Sequence, residues 1–444
     1  MYIIVVKYPL CKKHLSTTCG QTNIEIGGNT MKKLLALLLA LVMAFSLCAC
    51  ASGGSNDAAP ADNAAPADNA AAADDAPAAA AGDTVVIGVF EPLSGDNGAG
   101  GKQEVLGMQY ANSIAPTVEI GGKTYNVELA IVDNESSNDK AVSAATQIIS
   151  QGASVVLGSY GSGVSIAGSD TFGNAGIPVI GVTCTNPQVT EGNTHYFRIC
   201  FLDPFQGTVQ ANFAHDELGV TAKAYCLGQL GNDYDQGLIN YYTEAAEALG
   251  IEVISESFPE GTADFTSYLT NAKNAGAEVI FAPCSISYAQ LIVQQAASQG
   301  IEIPITAPDT WDSNVVLEAA SGTSLDIYCS TFYAEGGDPA FEEGFKAYLN
   351  GDSTALSNNG GNDTIAAVSV MGYDAYFTAL EALKNAGSTN SADVLAALPS
   401  TTYTGVSGSI AFDSIGDAVR DTAFIKQANA ETALWDFVAQ QSVG

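Results

Sequence analysis

The 444-residue chain carries 48 Asp and Glu against 15 Lys and Arg, a formal net charge of −33, and 47% of its residues are hydrophobic. That length suits two domains with accessory segments and a large core, and so acidic a surface repels phosphate backbones, which excludes nucleic acid as a partner. Three histidines (His14, His195 and His215) leave little material for a histidine-based metal site or catalytic triad.

Residues 1–30 have no periodic pattern and read as an upstream over-extension of a chain that starts at Met31. Lys32 and Lys33 then precede a fourteen-residue apolar run, Leu34–Leu47, shorter than the about 20 residues of a membrane span and of the size of a signal-peptide core. Leu47-Cys48-Ala49-Cys50 resembles a bacterial lipobox, so 31–49 is expected to be a lipoprotein signal peptide and Cys50 the lipidated residue. Residues 50–83 follow as an Ala/Asp/Asn/Pro tract with two near-copies of AAPADN. Without large apolar side chains nothing offsets the entropy of ordering it, which predicts a disordered tether.

From Thr84 the pattern changes. Val85-Val86-Ile87-Gly88-Val89-Phe90 is a continuous apolar run of the kind buried on both faces of a sheet. Similar runs recur at Val127–Val132, Val155–Leu157 and Ile177–Val182. Between them Ala141, Val142, Ala145, Ile148 and Ile149 form a helical stripe behind Ser137 as N-cap. A second series gives strands at Ala222–Leu227, Ile251–Ser257, Val279–Ala282 and Ile303–Ile305. Its first helix carries Leu238, Ile239, Tyr242, Ala245, Ala246 and Leu249 on one face and stops at Gly250. Long helices are expected over Asp338–Leu349 and Thr364–Asn385, then short strands at Gly408–Phe412 and Thr432–Val438. Alternating strands and helices imply βαβ units, and two series imply an α/β protein of two doubly wound parallel-sheet lobes. Ligands of such sheets sit beyond the carboxyl ends of the strands, here between the lobes.

Enzyme chemistry finds no support. Gly163-Val164-Ser165-Ile166-Ala167 lacks the final glycine of a nucleophile elbow, no histidine follows His215, and Gly122-Lys123-Thr124 has Thr117 where a phosphate loop needs its first glycine. Cys184, Cys200, Cys226, Cys284 and Cys329 form no C-x-x-C pair and read as buried thiols, so neither metal nor cofactor is expected.

The strand-end loops are rich in small polar residues: Pro92-Leu93-Ser94-Gly95, Gly158-Ser159-Tyr160-Gly161-Ser162-Gly163, Thr183-Cys184-Thr185-Asn186-Pro187, Asp233-Tyr234-Asp235-Gln236-Gly237 and Pro308-Asp309-Thr310-Trp311. In this order they resemble the branched-chain amino-acid binding proteins of ATP-driven importers, which have the type I periplasmic-binding architecture. The likeness implies two lobes joined by a three-crossing hinge, 84–200 with 332–403 and 201–331 with 404–444. It implies a monomer that delivers an amino acid to a permease and ATPase complex, while the lipobox implies that the chain is lipid-anchored to the outer face of the cell membrane. By the same likeness Ser162 and Thr185, with Thr183 and the Gly161/Ser162 backbone, meet the ligand's carboxylate. Asp309 meets its ammonium, Tyr234 closes over it, and Tyr160 and Trp311 stand at the wall. Ten basic residues follow Cys50 and none lies in these loops, so dipoles at a helix start must serve the carboxylate. Two alternatives stay open: a sensor of the same fold, and a binder of a short amide or other small carboxylate.

Overall fold

A computed structural model describes residues 82–442. The expected leader, the Cys50 acylation site and nearly all of the expected tether lie outside them.

The first sheet has the strand order β2-β3-β1-β4-β5-β6, with β1 Thr84–Glu91, β2 Thr117–Ile120, β3 Lys123–Asp133, β4 Val155–Gly158, β5 Val179–Gly181 and β6 Tyr196–Arg198. All neighbours run parallel except β2, which turns back on β3. Three helices alternate with these strands: α1 (Gly98–Ile114), α2 (Asn138–Ser150) and α3 (Ser162–Ala175). Because side chains alternate along a strand, β1 feeds two cores. Val85, Ile87 and Val89 pack with Leu106 and Met108 of α1, whereas Phe90 packs with Ala141 and Ala145 of α2 and with Val164 and Phe172 of α3.

The second lobe opens with α4 (Asp203–Asp216), β7 (Lys223–Gln229), α5 (Asp233–Ala248) and β8 (Glu252–Phe258). It continues through α6 (Thr266–Ala275), β9 (Val279–Phe281), α7 (Ile286–Gln299), β10 (Ile305–Ala307), α8 (Asn314–Ala320) and β11 (Ile327–Thr331). After β11 come the helices α9 (Pro339–Gly351), α10 (Ser353–Asn358), α11 (Ala367–Ala386) and α12 (Ser391–Ala397), then a hairpin of β12 (Thr402–Gly405) and β13 (Gly408–Ala411). Val370, Ala375 and Leu383 of α11 join the core that α1 builds on β1, so these helices belong to the first lobe. The chain then returns as β14 (Thr422–Asn429) and β15 (Leu434–Ser442), completing a second sheet of order β15-β14-β11-β10-β9-β7-β8. In it β14 and β15 are antiparallel and the rest parallel.

Several local expectations need correction. The strand expected at Ile303–Ile305 lies two residues later, at β10, and the expected Thr432–Val438 strand is β15, with β14 ahead of it unforeseen. Val142 is exposed rather than part of the α2 stripe, because Ala144 takes the core-facing place, and Ser137 makes no side-chain cap bond. The expected lobe boundary at Tyr403–Thr404 falls inside β12. That hairpin is tied to the first lobe, since Asp374 of α11 accepts hydrogen bonds from the Val406 and Ser407 backbone at its turn.

Candidate functional site

The carboxyl ends of both parallel sheets face a common cleft, and in this conformation the lobes touch across it. Asn97 of the first lobe accepts a hydrogen bond from the Ile286 N–H (3.2 Å) and donates to Ser285 Oγ (3.1 Å). Its neighbour Asp96 accepts from Ser287 Oγ at 2.8 Å and, through its carbonyl, from the Ser287 N–H at 3.1 Å. This pair therefore caps the start of α7 in the opposite lobe, a helix whose own N-cap, Ser285, makes no side-chain cap bond. On the other flank Asn186 donates to the Asp233 carbonyl (2.9 Å), and Tyr160 packs with Ile286.

Between these contacts lies a cavity of about 420 Å³, within the range of small-molecule sites. Tyr160, Gly161, Ser162 and Tyr234 line it, as do Asp96, Asn97, Ser285 and Thr310. The chain reaches α3 through Gly161, which has no side chain to cap the helix, and no side-chain oxygen accepts from its first turn. For contrast, Asn232 caps α5 by accepting from the Tyr234 and Asp235 N–H groups. The open N–H groups of α3 thus meet the cavity at Ser162 and Gly163, with the partial positive charge of a helix N-terminus.

Asp309, Thr183, Thr185 and Trp311 are wholly buried and stand outside the cavity lining. Asp309 sits directly behind Tyr234. Its Oδ1 accepts from the Tyr234 hydroxyl and from Gln206 Nε2, both at 2.8 Å, while its N–H donates to Gln206 Oε1. Thr185 Oγ1 has no hydrogen-bond partner. The Thr183 hydroxyl is already donated to Glu104 of α1, so it is not free for a ligand carboxylate. Trp311 belongs to the second lobe's core, so it supplies no wall. Tyr160 fills the space above Gly100, where a Cβ would lie 2.5 Å from its ring.

Four buried carboxyls surround this region. Desolvation, then the mutual repulsion and shared hydrogen bond of the pair, pushes Glu91 well above the usual carboxylate range, and burial likewise raises Glu104. Asp203 is pushed up to about 8 by burial. Asp309 rises to about 6, because the Gln206 and Tyr234 donors offset much of the same desolvation. At neutral pH Asp309 therefore holds its negative charge while Asp203 is largely protonated. The nearby cations are engaged elsewhere. Arg198 donates to Asp417 at 2.5 Å and to the carbonyls of Cys184 and Asn186, which fixes the Thr183–Pro187 loop, and Lys426 pairs with Asp312 at 3.0 Å. Cys184 is a buried thiol raised to about 11 by desolvation.

Gln206, Glu104, Asp203 and the Asp96–Asn97 pair escaped the sequence reading. Polar residues inside the otherwise apolar stripes of α1 and α4 were the available signal for the first three; nothing in the sequence marks Asp96 and Asn97, whose role depends on the opposite lobe.

A model of the family described as periplasmic binding protein matches residues 84–432. Leu/Ile/Val-binding protein homolog 1 of Brucella abortus (strain 2308) is 28% identical over 337 residues, 75% of this chain and 87% of the relative. A leucine binding protein of Thermotoga maritima superposes with a TM-score of 0.72 at 27% identity, covering 81% of this chain and 99% of that one. A branched-chain amino acid transporter substrate binding protein of Streptococcus pneumoniae, solved with isoleucine, gives a TM-score of 0.69 at 26% identity with the same coverage.

Proposed function

The chain belongs to the periplasmic binding protein family, whose members and structural neighbours here are solute-binding proteins rather than enzymes, and on that premise we propose that it captures an amino-acid-like zwitterion for an ATP-driven importer. The observation that carries this reading is a pair of complementary groups, one lining the cavity and the other directly behind its wall. The open N–H groups of α3 stand on one lobe and the ionised Asp309, reached past Tyr234, on the other. The ligand's carboxylate docks on the Ser162 and Gly163 N–H groups with Thr185 beside them, and its ammonium displaces or joins the Tyr234 hydroxyl on Asp309. Each lobe then holds one end of the molecule. A ligand that contacts both lobes only when they meet shifts the population toward the closed form, which a permease can recognise.

The Lys32–Cys50 segment supports attachment to the outer face of the cell membrane, since two acyl chains on Cys50 anchor firmly. Among the described residues no helix is long and apolar enough to cross a membrane. A thermal-shift screen against amino acids, their amides and simple carboxylates tests the proposal, because a ligand bound to the native state raises the midpoint by mass action. The expected result is a rise with at least one α-amino acid and none with its decarboxylated or deaminated analogue. A rise with a plain carboxylate alone would overturn the role of Asp309.

A further inference from the structure

The cavity wall is polar almost throughout. Besides Tyr160 and Tyr234, only Pro92, Val164 and Leu230 offer apolar side chains among the lining residues; most others are Gly, Ser, Asn, Asp or Glu. A branched aliphatic side chain gains by leaving water for an apolar wall. Here it would strip water from amides, hydroxyls and carboxylates whose hydrogen bonds it cannot replace.

The charge of the wall points further. Asp96, Glu135, Asp139, Asp233 and Glu260 all line the cavity, and among the described residues no Lys, Arg or His does. They converge from both lobes: the loop after β1, the turn from β3 into α2, the start of α5 and the loop after β8. Asp233 reaches in far enough that a Cβ on Gly163 would lie 3.2 Å from its carboxylate. Lys140 approaches Glu135 at 3.7 Å from outside the lining, and among the described residues the other four have no cation within salt-bridge distance. A second carboxylate on the ligand would be repelled by both lobes, whereas a second cation would be attracted by both.

Resting on the zwitterion reading above, we infer that the cavity selects an amino-acid-like ligand whose side chain ends in a cation, an ammonium or a guanidinium projecting toward Asp96, Asp139, Asp233 and Glu260. The α-ammonium keeps Asp309 and the α-carboxylate keeps the start of α3, so the two cationic groups do not compete. Branched aliphatic and acidic side chains are disfavoured, the first by the polar wall and the second by repulsion.

L-lysine and L-norleucine test this cleanly, since they share a side-chain skeleton and differ by the terminal ammonium. Calorimetric titration of the protein should show lysine binding at least about tenfold more tightly than norleucine at low salt, with the ratio shrinking at about 0.5 M salt as the exposed carboxylates are screened. The Asp233→Asn, Glu260→Gln double variant should narrow the ratio several-fold, with its unfolding midpoint confirming an intact fold. Norleucine or L-leucine binding as tightly as lysine would overturn this inference and leave the zwitterion reading standing. If none of L-lysine, L-arginine, L-norleucine and L-leucine bound, this inference would fall, and the zwitterion reading would be judged by the screen of the remaining α-amino acids.

Discussion

For the two ends of a zwitterion the first lobe offers helix dipoles and the second a buried charge, while carboxylates of both lobes line the cleft around them. On the first, α3 begins at a glycine and leaves its opening N–H groups free, and the adjacent Arg198 is spent on Asp417 and loop carbonyls. On the second, Asp309 is buried beneath Tyr234 and kept ionised by two donors. The difference teaches why neither lobe alone makes a site. A carboxylate can be met by N–H groups that need no counter-ion, but an ammonium needs a carboxylate, and a buried carboxylate is tolerable only where donors stabilise it.

The most direct way to break this asymmetry is Asp309→Ala, which leaves the buried ammonium unpaired. Loss of one member of such a pair costs about 3–5 kcal/mol, so the affinity for the best ligand of the thermal-shift screen should fall more than about a hundredfold by calorimetry. A wedge that keeps the walls apart should act next. Gly237 of α5 leaves room for Asn186 of the first lobe, and a Cβ there would lie 2.9 Å from Asn186 Nδ2. Gly237→Leu should weaken binding about thirtyfold through overpacking of the closed state, with scattering curves of the ligand-free protein shifted to a larger radius.

A smaller effect is expected from Asn97→Ala, which removes two of the hydrogen bonds that cap α7 across the cleft. At about 1 kcal/mol each, less what water restores in the open form, affinity should drop about tenfold, mainly through faster dissociation seen by stopped flow. The mildest test is pH. Asp309 rises to about 6, so affinity should be level above neutrality and decline as pH falls through that value, where the carboxyl takes a proton and stops attracting the ammonium. The ligand-free protein should respond with the opposite sign. Asp203 titrates near 8 in the fold and in the ordinary carboxylate range when unfolded. The native state is therefore progressively destabilised as pH rises from the ordinary carboxylate range to about 8, and the lost stability returns as pH falls back across that window. Asp203→Asn should make that part of the unfolding-midpoint profile shallower, with Glu104, also raised to about 8, keeping part of the slope.

The long buried strands were legible because apolar β-branched runs such as Val85–Phe90 admit one reading, and the two series of them gave the two-lobed α/β architecture. Three-residue strands such as β5, β6 and β9 carry too little pattern to bound, and β10 was misplaced for that reason. The second sheet takes its last two strands from the chain's far end, a pairing between distant segments that no local signal announces. At the site, strand-end position and residue type together singled out Tyr160, Gly161, Ser162 and Tyr234, which all line the cavity. They could not tell a hydroxyl facing solvent from one already given to a buried partner, which is how Thr183 was drawn in beside Glu104. Nor could they tell an aromatic wall from core, which is the case of Trp311.

A crystal structure of the protein with its best-binding α-amino acid tests the central claim most directly. The account predicts the ligand carboxylate on the Ser162 and Gly163 N–H groups and its ammonium within hydrogen-bond distance of Asp309. A ligand seated in the reverse sense, or held by one lobe with Asp309 untouched, would contradict it.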